Sequence, residues 1–436
     1  MEPNLIGLLG FVGMLGLIVL GVPIAFAMLA TACIGLFAVG GPNHAETQIA
    51  ITFTDVGANF VMVAVPLYFM MGQIVQRTNI AYDLYECVYR WLGRLPGGLA
   101  ISSVVACAGF GAVSGGSVTA VATMAPMCIP AMRKYKYDDS LATGCISAAG
   151  TLGILIPPSI ILIGYGILTE TSIGALFIAG IVPGILMTIG YSVTIAIRCF
   201  INPELGPLGE EFTLKEKLGS LYKVLPIFIT FMVVIGGIYG GIFTPTEAAG
   251  VGVFCLLVIA AFMRRLDWAN LKLSFLKSMQ TSGMIFVIIC GGHMMGKFVV
   301  QTELTQGLIA WMEVQDFTAF TIMLGLSLLF IMLGMVLDVW GMLILTIPFT
   351  FPLVVGNLGY SPVWYGVYAV IMSELALITP PVGINVYVMA KMAPDVPLTK
   401  IFKGVAPFFI FTLILVALIT VFPEIVMWLP TSAGMS

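Results

Sequence analysis

An all-α polytopic membrane protein built from inverted-topology repeats, each with a re-entrant hairpin and a broken helix, is the fold this sequence predicts. Three observations carry it. The 436 residues are 60% hydrophobic and only 9% charged, against roughly a quarter charged in an average soluble domain. The few charges bound long uncharged intervals. Landmarks of the first half also recur in the second at a nearly constant offset, with the charge of the loops between them reversed.

Residues 5–40, 56–76, 96–132, 140–169, 171–197, 224–246, 278–296, 317–337 and 339–373 are uncharged, and most of these runs match or exceed the ~20 apolar residues that cross a bilayer. Shorter runs at 248–263 and 375–390, and the run 404–423, complete the set. The first run fits two short passes or one long kinked helix. Met1 to Asn4 carry no Lys or Arg, so the run lacks the basic n-region of a cleaved signal peptide and reads as a retained membrane segment. A net charge of -3 without a basic block excludes nucleic-acid binding. The eight cysteines include no C-x-x-C pair and lie mostly in apolar runs, so neither a disulfide framework nor a zinc site is expected.

Lys and Arg gather in five places: Arg77 with Arg90 and Arg94; Arg133 with Lys134 and Lys136; Arg198 to Lys223; Arg264 to Lys277; and Lys391 to Lys403. The positive-inside tendency makes these cytoplasmic. Pro42 to Asp55, Glu170, Thr244 to Glu247 and Glu303 to Asp316 are acidic or neutral and face outward. The uncharged stretch Pro96 to Met132 begins and ends at cytoplasmic clusters, so it must return to the side it entered from. Each leg, for example Gly97 to Val113, spans ~25 Å at 1.5 Å per residue, short of a ~30 Å core. A re-entrant hairpin with its tip at Ser114-Gly115-Gly116-Ser117 follows. Between Thr78 and Pro96, Tyr82, Tyr85, Tyr89 and Trp91 mix with Arg90 and Arg94, a pattern that suits an interfacial helix or a docking surface for another subunit.

Pro126 and Pro130 recur 222 residues later as Pro348 and Pro352, Pro157 and Pro158 recur 223 later as Pro380 and Pro381, and Gly180 and Pro183 recur 224 later as Gly404 and Pro407. Several landmarks in order at one offset mark an internal duplication. The basic loop Arg133 to Asp139 corresponds to the uncharged Gly356 to Pro362, while acidic Thr169 to Ser172 corresponds to a loop holding Lys391, Lys400 and Lys403. Equivalent loops therefore lie on opposite faces, as in the inverted repeats of secondary transporters. The second hairpin has its tip at 334–338. The expected units are 1–95, N-terminal scaffold helices with the interfacial helix; 96–200, repeat 1; 201–316, connecting scaffold helices; and 317–436, repeat 2.

A proline has no N–H for the carbonyl four residues earlier. Pro157 and Pro158 free the carbonyls of Gly153 and Ile154, and Pro380 and Pro381 free those of Ala376 and Leu377. At membrane depth such oxygens require a cation, a donor or water. Sodium suits them, with the hydroxyls of Ser114, Ser117, Thr151, Ser159 and Thr379 nearby in sequence. Proline kinks satisfied by neighbouring helices are the alternative; two symmetry-related copies, each opposite a hairpin tip, favour ion sites. The small residues of Ala106 to Thr123 and Ala142 to Gly153 let helices approach closely, and no G-K-S/T makes the first a nucleotide loop. Asp338, at the second tip, is an ionisable residue at depth and marks contact with sodium, substrate or a proton. Glu374 has either a functional role or a bond to a neighbouring helix, and snorkelling accounts for Lys297 beside His293. With no Arg in either repeat's core, an anionic substrate would rely on helix N-termini and bound sodium.

These residues resemble the large membrane subunit of tripartite ATP-independent periplasmic (TRAP) transporters. The similar stretches are Gly21-Val22-Pro23-Ile24, Val65-Pro66-Leu67-Tyr68-Phe69, Ser114-Gly115-Gly116-Ser117, Gly150-Thr151-Leu152-Gly153-Ile154-Leu155-Ile156-Pro157-Pro158-Ser159, Pro245-Thr246-Glu247-Ala248-Ala249 and Ile378-Thr379-Pro380-Pro381-Val382-Gly383-Ile384-Asn385. They cover nearly the whole chain in family order. The resemblance implies an elevator-type sodium symporter of the bacterial inner membrane, not an enzyme. It implies a small organic anion handed over by a soluble periplasmic binding protein, and a small four-helix membrane subunit as partner. It places two or more sodium ions, and no organic cofactor, at sites formed by Ser114, Gly153, Ile156 and Pro158 and by Gly334, Ala376, Thr379 and Pro381, with Ser117, Ser159, Asp338 and Asn385 as candidate substrate contacts. Gly116 departs from the serine common in relatives and offers no hydroxyl. A stand-alone sodium/dicarboxylate symporter shares the hairpin architecture, but its Ser-Asn-Thr tips are absent. An intramembrane protease would need paired catalytic groups that two distant histidines and one deep aspartate do not supply.

Overall fold

The computed structural model describes residues 3–335 and 337–435, apart from the side chain of Glu313, and among them all regular structure is helical. The first apolar run is two helices, α1 (Pro3–Val19) and α2 (Ile24–Gly40). They turn at Gly21, whose φ of +88° is open to glycine and strained for other residues. The segment read as an outward loop forms α3 (Pro42–Ala58), with Pro42 in the first turn, where its missing N–H costs nothing. α4 (Ala64–Arg77) and α5 (Ile80–Leu92) follow. α5 buries Leu84, Tyr85 and Cys87 and leaves Tyr82 and Trp91 exposed, as the mixed aromatic and basic pattern suggests.

Repeat 1 opens with the predicted hairpin. α6 (Gly98–Ser114) runs 17 residues to Gly115, left-handed at φ +61°, and α7 (Ser117–Lys134) returns. The broken helix consists of α8 (Asp139–Ala149), the single turn α9 (Leu152–Leu155) and α10 (Ile160–Thr169), bent by 44° at Ile156–Ser159. α11 (Ile173–Ile201) closes the repeat. The connecting scaffold comprises α12 (Leu214–Ser220), α13 (Leu225–Tyr239), α14 (Pro245–Phe262), the 34-residue α15 (Trp268–Gln301) and α16 (Leu304–Val314). α14 starts at a capping box in which Thr244 and Glu247 satisfy each other's backbone N–H groups.

Repeat 2 has the same order: hairpin α17 (Ala319–Gly334) and α18 (Val339–Phe351), then α19 (Pro362–Ala376), a break at Leu377–Gly383, α20 (Ile384–Met392), α21 (Leu398–Val421) and a last short helix, α22 (Glu424–Ser432). Val336, in the predicted tip, lies outside the described residues. The Pro157–Pro158 and Pro380–Pro381 bonds are both cis.

Ion pairs join all the first, second, third and fifth basic clusters, and Arg265 of the fourth, on one face. Arg94 pairs with Glu211, Lys223 with Glu86 and Arg265 with Asp83; Arg133 reaches Asp395 at 2.6 Å and Lys400 reaches Asp138 at 3.3 Å, and Lys134, 3.9 Å from Glu210, links the two groups. The opposite face gathers the acidic and neutral segments: one cleft of about 810 Å³ is lined by Asn59, Glu170, Thr171, Thr244 and Glu247. Two contacts establish the inversion. Asp395, in the repeat-2 counterpart of the Glu170 loop, sits with Arg133 on the basic face. Pro362, in the counterpart of the Arg133 loop, accepts a hydrogen bond from Tyr165 Oη at 2.7 Å, near the Glu170 end of α10. Gly7 of α1 abuts Thr302, and His44, just beyond α2, bonds Gln301 at 2.8 Å. Both outer ends of the α1–α2 hairpin therefore lie at the acidic end of α15, which settles the first run as two short helices.

The repeats interlock. Gly144 of α8 and Gly404 of α21 pass so closely that a Cβ on Gly144 would stand 2.6 Å from Gly404 Cα, the close approach that small residues permit in membranes. Together with Arg133–Asp395 and Lys400–Asp138, this ties the inner half of one broken helix to the last long helix of the other repeat.

A cysteine at Lys136 should react with an impermeant thiol reagent from one side only, the cytoplasmic side by the positive-inside tendency, and one at Asn357 from the opposite side only; labelling of both from one side would break the inverted relation. The hydrogen bond from Arg133 holds the Asp395 carboxyl below its ordinary value. The pair therefore contributes above the ordinary aspartate range, near pH ~3.9, and is lost as pH falls through the depressed value. Both groups are largely solvent-exposed, so Asp395→Asn should lower the melting temperature slightly at neutral pH and low salt, with the difference vanishing in strong acid and in high salt.

Candidate functional site

Each hairpin tip is pressed against the break of its own repeat, and small residues make that possible. A Cβ on Gly111 would lie 2.5 Å from Gly153 Cα, and one on Gly115 would lie 2.9 Å from the Pro158 carbonyl oxygen. In repeat 2, a Cβ on Gly334 would collide with Ala376 Cβ. The structure thus brings the glycines of the first tip to Gly153 and Pro158, and Gly334 to Ala376, as the pairing of tip and break predicts, while the Ser114 backbone lies against Gly72 of α4. The Ile156 side chain points the other way, against Gly184 of α11.

The two breaks differ in how their backbone is satisfied. Among the described residues no hydrogen bond reaches the carbonyls of Gly153 and Ile154. In the second break the expectation of free carbonyls needs correcting: Ala376 O accepts the Thr379 N–H at 3.1 Å and Leu377 O accepts the Asn385 N–H at 3.1 Å. A tight turn folds the chain back on itself there, so these oxygens retain only a second lone pair. Thr379 Oγ1 donates to Leu375 O at 2.7 Å and still has lone pairs to offer.

Hairpin 1 also meets the other repeat. The fully buried Asn385, in the first turn of α20, donates through Nδ2 to Ser117 Oγ at 2.7 Å and to the Ser147 carbonyl at 3.1 Å. Its Oδ1 and the buried Ser114 Oγ have no hydrogen-bond partner. Hairpin 2 mirrors this arrangement by laying Trp340, in the first turn of α18, on Gly164 of α10. Ser159 and Asp338 are both N-caps: Ser159 Oγ accepts from Leu162 N at 3.2 Å, and Asp338 Oδ1 from Gly341 N at 3.2 Å. Asp338 is only half-buried and stands close to the start of α2, since a Cβ on Gly341 would meet both Asp338 Oδ1 and Ile24. The N-termini of α7, α10 and α20 therefore meet at hairpin 1, and that of α18 rests on α10. Helix N-termini carry partial positive charge and unpaired N–H groups. No motif singles out Ser147, because it contributes its backbone carbonyl.

On the acidic face, a cleft of about 230 Å³ lined by Asp55, Glu170, His293 and Lys297 and one of about 320 Å³ lined by Leu168, His293, Lys297, Ile347 and Pro348 lie between α15 and the α10 and α18 elements of the repeats. Lys297 thus lines both clefts.

Re-entrant hairpins facing broken helices, in two inverted copies, define a multi-pass membrane permease. The sequence profile of the tripartite ATP-independent periplasmic transporter DctM component matches residues 11–425, and the chain belongs to that family. It is the permease component of an ATP-independent transporter that works with a periplasmic binding protein, and not an enzyme. The C4-dicarboxylate TRAP transporter large permease protein DctM of Pseudomonas aeruginosa is 30% identical over 89% of this chain and 90% of its own length. The sialic acid TRAP transporter large permease protein SiaM of Vibrio cholerae is 30% identical over 96% and 97%. The crystal structure of the YdaH transporter of Alcanivorax borkumensis, described as having an unusual topology, shares the fold at a TM-score of 0.56 and 15% identity, over 88% of this chain and 89% of that one.

The tip contacts predict opposite effects for one substitution at two sites in α17. Gly325→Ala, where a Cβ meets nothing within 4 Å, should be neutral or raise stability by up to ~1 kcal/mol. Gly334→Ala forces the tip off Ala376 and should cost about 1–3 kcal/mol. Thermal unfolding of the purified variants compares the two.

Proposed function

We propose that this chain performs sodium-coupled uptake of a small organic anion bearing a carboxylate across the bacterial inner membrane. The substrate arrives on a periplasmic binding protein, and a small four-helix membrane subunit completes the complex. The observation that carries the reading is the hairpin 1 junction. There, three helix N-termini meet around oxygen atoms with no hydrogen-bond partner: Ser114 Oγ, Asn385 Oδ1 and the carbonyls of Gly153 and Ile154. Such an all-oxygen set suits a hard cation. The N-termini, with Ser117, Ser159 and Asn385 beside them, suit a carboxylate, and the cation compensates its charge.

The second sodium site would draw on Gly334, Ala376, Thr379 and Pro381 through the lone pairs their turn leaves unused, while Ile156 and Pro158 offer backbone carbonyls to the first. Asp338, capping α18 at the other tip, would close the substrate site from that side. Relatives named for C4-dicarboxylates and for sialic acid, both carboxylates, support the substrate class. The cross-repeat ion pairs and the Gly144–Gly404 crossing favour movement of 96–200 and 317–436 as one block against the scaffold of 1–95 and 201–316, an elevator step in which the clefts beside α15 mark the sliding surface.

Proteoliposomes holding both membrane subunits should take up the binding protein's ligand only with an inward sodium gradient and with the binding protein present, without ATP. Full-rate uptake in sodium-free buffer, or without the binding protein, would overturn the reading. Asp338→Asn keeps an N-cap of equal quality, so it should leave the melting temperature unchanged. It removes a charge-assisted contact of about 1.5–3 kcal/mol, which weakens apparent sodium or substrate affinity roughly tenfold to a hundredfold.

A further inference from the structure

On the basic face, between the ends of the scaffold helices, lies a cleft of about 650 Å³ that no part of the proposed transport step uses. α4 contributes Arg77 to it, α5 contributes Tyr82, Asp83 and Glu86, and the chain entering α13 and leaving α14 contributes Lys223 and Arg265. It opens where the spans end and the interfacial helix begins, at the level of lipid headgroups.

The charges around this cleft do not cancel. Asp83 pairs with Arg265, and Glu86 is shared by Lys223 and Arg90. Four cations thus stand around two carboxylates, and both carboxylates are taken. Arg77 is the cation left over. Among the described residues it pairs with no carboxylate, and its Nε is buried with no hydrogen-bond partner. Its Nη2 has only the Gln73 side-chain oxygen, at 3.4 Å, beyond the usual range. A guanidinium stays charged in any protein environment, and donors shut away from water without acceptors are costly. Neither acid can turn to Arg77 without abandoning a cation that it already serves.

The backbone adds donors of the same kind. Asn79, left-handed at φ +56°, starts α5 without lending its side chain as a cap. Among the described residues, the N–H groups of Ile80, Ala81 and Tyr82 find no acceptor. Asn79 and Tyr82 line the cleft together with Arg77, so the positive end of the 13-residue α5 meets the unpaired guanidinium there. A phosphate group suits both, taking a forked pair of bonds from an arginine and further bonds from a helix start.

Apolar surface flanks the polar cleft. Tyr82 is exposed, as are Leu225 at the start of α13 and Phe262 at the end of α14. Acyl chains cover such surface, whereas a soluble phosphate ester leaves it bare. We propose that the cleft binds the phosphodiester headgroup of an anionic phospholipid of the cytoplasmic leaflet, with Arg77 as the principal contact and Lys223 and the start of α5 beside it. Basic clefts between transmembrane helices on this side recognise such headgroups. Met127 of α7 lines the same cleft, so the lipid sits where hairpin 1 borders the scaffold and fixes the scaffold end at the interface. The site does not depend on sodium coupling.

The test uses the purified complex of both membrane subunits in a neutral detergent, with melting temperature followed as phosphatidylglycerol or phosphatidylcholine is added. Phosphatidylglycerol should raise the melting temperature by several degrees more than phosphatidylcholine does. Arg77→Gln should cut that excess by at least half, yet melt like the wild type in phosphatidylcholine, since Arg77 has no ion pair to lose. Lys223→Gln leaves Glu86 with Arg90; it should also cut the excess, and it carries the test if the first variant fails to fold. Glycerol phosphate at the same concentration should not reproduce the shift; if it does, the cleft takes a soluble phosphate ester and the lipid assignment is overturned. Equal responses from the wild type and the folded variants overturn the site. Loss of the small subunit from Arg77→Gln, with the lipid response unchanged, also overturns it and makes the cleft a subunit contact.

Discussion

Backbone polar groups at membrane depth must find their partners within the protein, and the arrangement of this molecule follows from two stretches where helical pairing stops, Ile156–Ser159 and Leu377–Gly383. Each needs a non-lipid surface close enough to shield it. Only a second interruption of backbone can come that close, and only if its side chains are small. Hence the glycine and serine tips: Gly111 and Gly115 lie on Gly153 and Pro158, and Gly334 lies on Ala376. The hairpins are short because their purpose is to reach the breaks, not to cross the membrane.

The same constraint explains why the repeats are joined across rather than side by side. A break exposes the start of a new helix, and α20 starts at Asn385, which is satisfied by Ser117 and Ser147 of the other repeat. α18 likewise starts beside α10. Each repeat therefore completes the other's interruption, and the Gly144–Gly404 crossing and the Arg133–Asp395 and Lys400–Asp138 pairs extend the bond to the basic face. An assembly joined at three depths has the mechanical character of one body, which is what an elevator step would need.

The two breaks are equivalent in sequence and unequal in chemistry. At the first, carbonyls stay free of hydrogen bonds; at the second, a tight turn takes them up. Glutamate stands in the second where the first has threonine. Symmetry is thus a property of the backbone path, while the polar groups are distributed unevenly over it.

Spacing and charge alone determined the helical membrane class, the hairpin tip at Gly115 and Gly116, both breaks and the opposite orientation of the repeats, because these rest on chain-local facts: length of apolar runs, missing proline N–H groups and the sign of loop charge. They also marked Ser114, Ser117, Asp338 and Asn385 as notable. Tertiary structure decided what those residues touch. That Asn385 binds Ser117, that Asp338 is an N-cap near Ile24, that Leu377 O is taken by Asn385 N–H, and that Glu374 is buried with no hydrogen-bond partner all depend on how the chain packs, through contacts between residues up to 268 positions apart. No local pattern records such contacts, since a hydroxyl, carbonyl or carboxylate reads the same in sequence whether its partner is present or missing; only the packing of the other helices around it makes the difference.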